Sequence, residues 1–168
     1  SCRKLTTVEY EAQTARATGS RLQTIGQYAF TNCSALVSIT IPASVQEMQK
    51  GAFEVCSKLE QLHVEDLTAW CNINFEQSAN PMACGVDFYL GDALVTALEI
   101  PSSVTQIKKY AFYSSRFTSV KIPASVTQIG QNSFCKSTTL TEVHIAEGLT
   151  EVPHYAFSDC TNLQKVFL

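Results

Sequence analysis

The sequence repeats itself about every 23 residues. Phenylalanines recur at Phe30, Phe53, Phe112, Phe134 and Phe157, with spacings of 23, 59, 22 and 23 residues. A period of this length fixes the architecture before any single helix or strand is considered, because one such unit cannot bury its apolar face alone and must stack on its neighbours. The repeat therefore predicts a solenoid.

The repeating unit reads V-x-x-I-x-x-x-A-F-x-x-C-x-x-L-x-x-V-x-I-P-x-S and is complete from Leu22 to Pro42. Its L-x-x-V-x-I part alternates apolar and polar residues, as a strand with one buried face requires. The proline that follows has no N–H group and ends the strand. The other half is too short for a three-turn helix and predicts an extended or single-turn return. The fold class is therefore a leucine-rich repeat solenoid, a right-handed coil with a parallel β-sheet on the concave face, an irregular or short-turn convex side and little regular helix.

The register predicts one domain, 1–168, of about seven coils. Its strands are expected at 5–10, 36–41, 59–64, 95–100, 117–122, 140–145 and 163–168. The 59-residue spacing predicts an irregular insertion near 66–93, and a smaller loop is expected at 12–20. Both ends look like cuts through a longer array because they lack the polar caps of terminal repeats, and unpaired strands there would favour end-to-end self-association.

The insertion contains the single tryptophan, Trp70, and the run Phe88 to Leu90 followed by Gly91-Asp92. The second feature predicts a β-hairpin that leads into the next strand. Trp70 has two interpretations. It is either an aromatic contact for a glycan or protein ligand, or it forms with Phe75 and Phe88 a small core that seals the irregular coil.

Side chains between the buried strand positions are expected to line the concave face in two columns. The first column contains Thr7, Ser38, Gln61, Ala97, Ser119, Glu142 and Lys165, and the second contains Glu9, Thr40, His63, Glu99, Lys121, His144 and Phe167. Glu99 and Lys121 fall on neighbouring rungs and are expected to pair. The candidate ligand-binding residues are therefore Ser38, Thr40, Gln61, His63, Glu99, Ser119, Lys121, Glu142 and His144, together with Trp70.

Cysteines occupy one position of the repeat, three residues after the phenylalanine, at Cys33, Cys56 and Cys160. Serine replaces cysteine in other coils, so the position favours a small buried side chain with a structural role. Cys71 and Cys84 both lie in the insertion. Either they close a 14-residue loop by a disulfide, or both are free thiols.

Several function classes are disfavoured by composition and spacing. The net charge is -3 with no run of Lys or Arg, which argues against a nucleic-acid partner, and no stretch of 18 apolar residues predicts a membrane span. His63 and His144 fall three rungs apart, roughly 15 Å, too far to share a metal, so no metal or cofactor is expected. Paired carboxylates, phosphate-binding glycine loops and nucleophile constellations are missing, so we do not expect an enzyme.

The repeat resembles that of the BspA-like leucine-rich repeat proteins of bacterial and protist cell surfaces. The resemblance is carried by Ile25-Gly26, Ala29-Phe30, Cys33, Leu36 and Ile41-Pro42, and the run Asp66 to Phe75 with Asn80-Pro81 resembles an insertion in such proteins. It implies a secreted or cell-surface adhesion module that recognises a host or cell-surface protein or glycan through the concave sheet or the insertion. The alternative is a passive stalk that presents another domain.

Overall fold

A computed structural model describes residues 2–9 and 21–168, and within them the chain is a parallel-strand solenoid with almost no helix. The predicted fold class is confirmed. The predicted loop at 12–20 lies outside the described residues, as does the last residue of the first predicted strand. In chain order the strands are β1 Thr7–Val8, β2 Thr24–Ile25, β3 Ser38–Ile41, β4 Glu47–Met48, β5 Gln61–Val64, β6 Asn74–Phe75, β7 Asp87–Leu90, β8 Ala93–Leu94, β9 Ala97–Glu99, β10 Gln106–Ile107, β11 Ser119–Ile122, β12 Gln128–Ile129, β13 Glu142–Ile145 and β14 Lys165–Phe167.

The longer strands form the front face, which is the face that the sequence predicts to be concave. They make two sheets: a first sheet in the order β1-β3-β5-β7-β8 and a second sheet in the order β9-β11-β13-β14. Every neighbouring pair is parallel except β7 and β8. In β3 the side chains of Ile39 and Ile41 are buried and those of Ser38 and Thr40 are half-buried. The predicted alternation therefore sets which residues face outward.

The back face consists of two-residue strands in two parallel ladders, β2-β4-β6 and β10-β12. Each strand buries only its second residue, such as Met48 or Ile129, and the residue before it is polar. The buried apolar residues of this half-repeat are three positions apart, as in Val45 and Met48, and this spacing does not fit the period of two that a longer strand requires. The expected extended return is therefore confirmed.

Phenylalanine rings pile up through the core as predicted, in two stacks. Phe30 and Phe53 lie 5.2 Å apart between ring centroids, and Phe134 lies 5.1 Å from Phe112 and 5.3 Å from Phe157. Between the stacks the repeat has Asn80 after Ala79, where other coils have phenylalanine after alanine or, in one coil, after Ser133.

The irregular coil that separates the stacks contains two short helices. Helix α1, Leu67–Cys71, begins after Asp66, whose side chain accepts a hydrogen bond from the N–H of Ala69, and a 3₁₀ helix spans Pro81–Cys84. Trp70 of α1 fills the gap in the core, 5.1 Å from Phe75 and 5.8 Å from Phe88 between ring centroids. It is 1% exposed, so the proposal that it contacts a ligand directly is wrong. Its alternative role in sealing the coil is confirmed, and it does so within the main core.

Side chains replace the backbone hydrogen bond of the phenylalanine position at this junction, whereas the N–H of Lys108 still donates to the carbonyl of Cys71 over 2.9 Å. In a regular coil the phenylalanine N–H donates to a carbonyl of the next coil, as Phe30 does to Ala52 over 2.8 Å. At the junction Trp70 Nε1 donates to the carbonyl of Ala111 over 2.9 Å, and Asn80 Nδ2 donates to the same carbonyl over 3.0 Å. Buried carbonyls need such partners, so these two side chains join the coil of α1 directly to the coil of β10.

The front-face register differs from the prediction at one place. Strand β5 pairs with β7, which sets Asp87 beside Gln61 and Tyr89 beside His63, where the sequence predicted Ala97 and Glu99. The reason is that Phe88 lies beside Leu62 and is buried, so the segment assigned to the insertion supplies a rung of its own. Among the described residues the front face therefore has eight strands, besides β8. The predicted hairpin is confirmed, since β7 and β8 pair antiparallel around Gly91-Asp92.

Each regular turn from the back to the front face bends through two residues with positive φ. One precedes the alanine position of the repeat, which Ser133 occupies in one coil, and the other precedes the cysteine position. The first group comprises Tyr28, Gly51, Ser78, Tyr110, Asn132 and Tyr155, and the second comprises Asn32, Val55, Ser114, Lys136 and Asp159, with φ between 56° and 65°. Most side chains are strained in this region, so these turns are held by the hydrogen bonds between coils.

Candidate functional site

The front face divides the predicted site residues into two groups. Ser38 and Thr40 pair with Gln61 and His63 in the first sheet. In the second sheet Lys121 lies between Glu99 and His144. Ser119 and Glu142, the remaining pair, are also neighbours there. The hairpin of β7 and β8 separates the groups, so the front face has two clusters instead of one continuous pair of columns.

The cluster of the first sheet is built around a stacked pair of rings. His63 and Tyr89 are nearly parallel, with centroids 4.6 Å apart and an interplanar angle of 15°. His63 Nδ1 lies 3.0 Å from the carbonyl oxygen of Gly91, and since a carbonyl only accepts, Nδ1 carries the proton. The hairpin turn therefore fixes the imidazole, and Nε2 remains as the group that can meet a ligand.

The cluster of the second sheet carries the charges. Lys121 Nζ and Glu99 Oε1 lie 2.6 Å apart, and both side chains are more than 60% exposed. Their hydrogen bond and mutual attraction lower the pKa of Glu99 and raise the pKa of Lys121, so both stay ionised at neutral pH. The predicted pair is confirmed. On the next rungs His144 stacks on Phe167 at 4.2 Å, and its Nε2 lies 3.5 Å from Glu142 Oε1.

Asp87, Tyr89 and Arg116 are front-face residues that sequence reasoning missed. Arg116 bridges the two sheets, with Nη1 3.1 Å from Asp87 Oδ1 and 3.2 Å from the carbonyl oxygen of Gly85. The signal for this rung was present in the run Val86 to Leu90, in which buried residues alternate with more exposed ones. It is hidden because the C-x-x-L half-unit before it is absent and the hairpin follows at once.

The cysteine position is structural, as predicted. Cys56 Sγ donates to the carbonyl of Phe30 over 3.1 Å, and Cys160 Sγ donates to that of Phe134 over 3.2 Å. Ser137 makes the same bond, to the carbonyl of Phe112 over 3.3 Å. Burial raises the pKa of Cys56 to about 11, so it stays a thiol. Each side chain therefore ties one coil to the coil before it.

The two cysteines of the insertion are free thiols in the structure. Cys84 Sγ lies 3.5 Å from the carbonyl oxygen of Phe53 and so continues the cysteine ladder. Cys71 is fully buried at the end of α1, where burial raises its pKa to about 12. Neither has the lowered pKa that a nucleophilic cysteine needs.

Within residues 2–9 and 21–168, no group of three or more His, Cys, Asp or Glu side chains is arranged to hold a metal ion. The same part of the chain contains no helix with the length and apolar character needed to cross a bilayer.

The stacked coils, the front-face strands and the A-F and cysteine positions define a leucine-rich repeat protein. The chain belongs to the BspA type leucine rich repeat region family, whose model matches six copies over residues 2–80 and 87–168. This family suggests a protein-binding or adhesion-type module.

Solved structures of bacterial leucine-rich repeat proteins share the fold. A protein from Bacteroides ovatus is similar with a TM-score of 0.55 and 22% identity, over 97% of this chain and 45% of that protein. A T. pallidum protein is similar with a TM-score of 0.52 and 21% identity, over 86% of this chain and 62% of that protein. The chain thus spans less than two thirds of either. No curated protein matches the sequence.

Proposed function

We propose that the chain is a non-catalytic adhesion module of a cell surface that binds a protein ligand through its front face. The observation that carries the proposal is the row Glu99, Lys121, His144 and Phe167, which the strand register places side by side across four coils. None of these side chains is fully buried, so the row is not needed to form the core. Rigid solenoid surfaces of this kind suit a large partner.

The chemistry of the row suits a protein partner. An exposed ion pair gives little stability to the fold but can steer an oppositely patterned surface and fix its orientation. The stacked rings of His144 and Phe167 offer a flat amphipathic contact beside it. The pair of His63 and Tyr89 repeats that contact in the first sheet, so a ligand that spans both sheets would meet a ring pair at each end.

The experiment is a double exchange, Glu99→Lys with Lys121→Glu, tested against immobilised proteins of the host extracellular matrix. The exchange keeps the pair and the net charge but inverts the local polarity, so a ligand steered by this pair should bind at a different rate and affinity. The melting temperature should stay within a few degrees of the parent, because both side chains are exposed.

A matched control inverts two charges on the back face, Lys109→Glu with Glu151→Lys, both of which are exposed there. It should leave binding unchanged. Equal binding by the front-face exchange and the parent would contradict the proposed site.

The second candidate function is a passive stalk that presents another domain. The observation that favours it is the dense bonding from coil to coil, in which cysteine, serine and threonine side chains add to the backbone ladders. A stalk predicts no saturable binding to any immobilised matrix protein while the fold remains intact. Surface plasmon resonance with the parent chain distinguishes the two functions.

A further inference from the structure

A groove opens on the turn face, where the chain passes from the back face to the front face. Its volume is about 660 Å³, and four consecutive coils line it, beginning with Glu76 and Ser78 and ending with Ser158 and Asp159. Four coils at a strand spacing of about 4.8 Å give a length of about 14 Å. This turn groove lies on a different surface from the front-face clusters described above.

Tyrosines form its walls. Tyr110 and Tyr155 occupy the same position of the repeat, directly before the alanine, and Asn132 occupies that position in the coil between them. Tyr155 is 63% exposed, and His154 contacts its ring at 5.5 Å between centroids. The ring of Tyr113 meets that of Tyr110 edge to face at 5.9 Å. Two aromatic walls therefore stand about 10 Å apart, two coils, with an amide between them.

Most polar groups of the groove belong to side chains, because several of its backbone N–H groups are already used. The N–H groups of Tyr110, Ser114 and Lys136 donate to carbonyls of the next coil. A peptide could therefore not pair with these three N–H groups as it would with a free strand edge. The available donors and acceptors include the amide of Asn132 and the hydroxyls of Ser78 and Ser158.

The charge of the groove disfavours an anion. Glu76 and Asp159 supply two carboxylates and Lys136 one ammonium group, which leaves the groove with one net negative charge. Lys136 Nζ lies 5.8 Å from the centre of the Tyr113 ring, so the cation already has a partner within the groove. A sulfated or sialylated ligand would therefore meet a net negative charge.

We propose that the turn groove binds a neutral oligosaccharide. A sugar ring has an apolar face of C–H groups, which packs on a tyrosine ring. Its rim of hydroxyls forms hydrogen bonds with carboxylates, amides and serine hydroxyls. The groove supplies both kinds of group in alternation along four coils, and it is longer than one sugar ring. This proposal goes beyond the proposed binding of a protein at the front face. The two proposals can fail independently of each other because they concern different surfaces.

The test begins with an array of neutral cello-, malto-, manno- and chito-oligosaccharides beside sialylated and sulfated glycans. The purified chain should bind at least one neutral class. It should bind no glycan whose recognition depends only on the sulfate or sialic acid groups of that glycan. The oligosaccharide with the strongest signal is then titrated by calorimetry against the parent and against Tyr155→Asn. Asparagine tolerates the left-handed conformation at this position, so the fold should survive, and affinity should fall about tenfold or more.

Tyr28→Asn is the matched control. Tyr28 has the same repeat position, a φ of 56° and an exposed ring, but it lies outside the groove. This variant should bind like the parent, and melting curves of both variants verify folding. The proposal is overturned if no neutral oligosaccharide binds, if only acidic glycans bind, if Tyr155→Asn keeps the parent affinity, or if both variants lose it equally.

Discussion

Replacing Asn80 tests how the two halves of the solenoid are joined. Its amide makes three hydrogen bonds: Nδ2 donates to the carbonyls of Tyr110 and Ala111 over 2.8 and 3.0 Å, and Oδ1 accepts from the N–H of Met82 over 2.9 Å. In Asn80→Ala both carbonyls keep another donor, Tyr113 N and Trp70 Nε1, but the buried N–H of Met82 loses its partner.

The expected cost follows from these contacts. One orphaned buried N–H costs about 1–3 kcal/mol and each of two further hydrogen bonds about 0.5–1.5 kcal/mol, so Asn80→Ala should lower the free energy of unfolding by about 2–6 kcal/mol. Urea denaturation followed by circular dichroism measures it. Asn74→Ala, an exposed asparagine on the back face of the same coil, serves as control and should cost less than about 0.5 kcal/mol.

Asn80→Asp adds a pH dependence with a definite sign. The new carboxylate keeps the bond from Met82 but faces two carbonyl oxygens, so its pKa in the folded protein rises above the ordinary value of about 3.9. The loss in free energy of unfolding relative to the parent should be smallest below a pH of about 3.9, and it should grow as pH rises towards the pKa of the carboxyl in the folded protein. A deficit that does not change with pH, or an Asn80→Ala variant as stable as its control, would refute the role of Asn80 as a junction.

Four further predictions concern the coils. Phe53→Ala should cost about 3–5 kcal/mol, because Phe53 is 1% exposed and stacked on Phe30, and a loss below about 1 kcal/mol in urea denaturation would contradict the spine. Val55→Asn should stabilise by about 1 kcal/mol, since valine at a φ of 60° is strained and its side chain is 60% exposed; calorimetry should show Tm rising by about 2–4 °C. Gly130→Ala should cost about 1–3 kcal/mol, because a Cβ there would lie 2.2 Å from the N atom of Lys109, whereas Gln131→Ala beside it should be neutral by the same assay. Alkylation by iodoacetamide at neutral pH, followed by mass spectrometry, should modify the exposed Cys2 and spare Cys56 and Cys71, whose pKa values burial raises to about 11 and 12; rapid modification of Cys71 would contradict its burial.

The regular coils could be predicted from the sequence because each position of the repeat has one physical task. Ile39 and Ile41 enter the core, Ser38 and Thr40 face outward, and the following proline ends the strand. The pair of Glu99 and Lys121 followed from the same register, since their coils are one regular repeat apart.

The junction could not be predicted in the same way. Asp87 to Leu90 form a rung although the half-unit before them is irregular. The alternation in Val86 to Leu90 is compatible with a strand, but the pairing with β5 follows only from the burial of Phe88 beside Leu62. The role of Trp70 depends on a carbonyl 41 residues away, at Ala111, which no local pattern contains. The sequence does not predict the turn groove either, because its tyrosines lie at a position of the repeat that varies from coil to coil.

The simultaneous break of the front and back ladders has a consequence for how the molecule unfolds. No backbone strand pairing in the described residues connects β7 or β8 with β9, or β6 with β10. Repeat arrays unfold as a chain of units coupled only to their nearest neighbours, so the weakest coupling sets the size of the cooperative blocks. Amide exchange should therefore divide the protein at this boundary, with amides on either side opening in separate events. A force applied along the solenoid would therefore extend it in two steps.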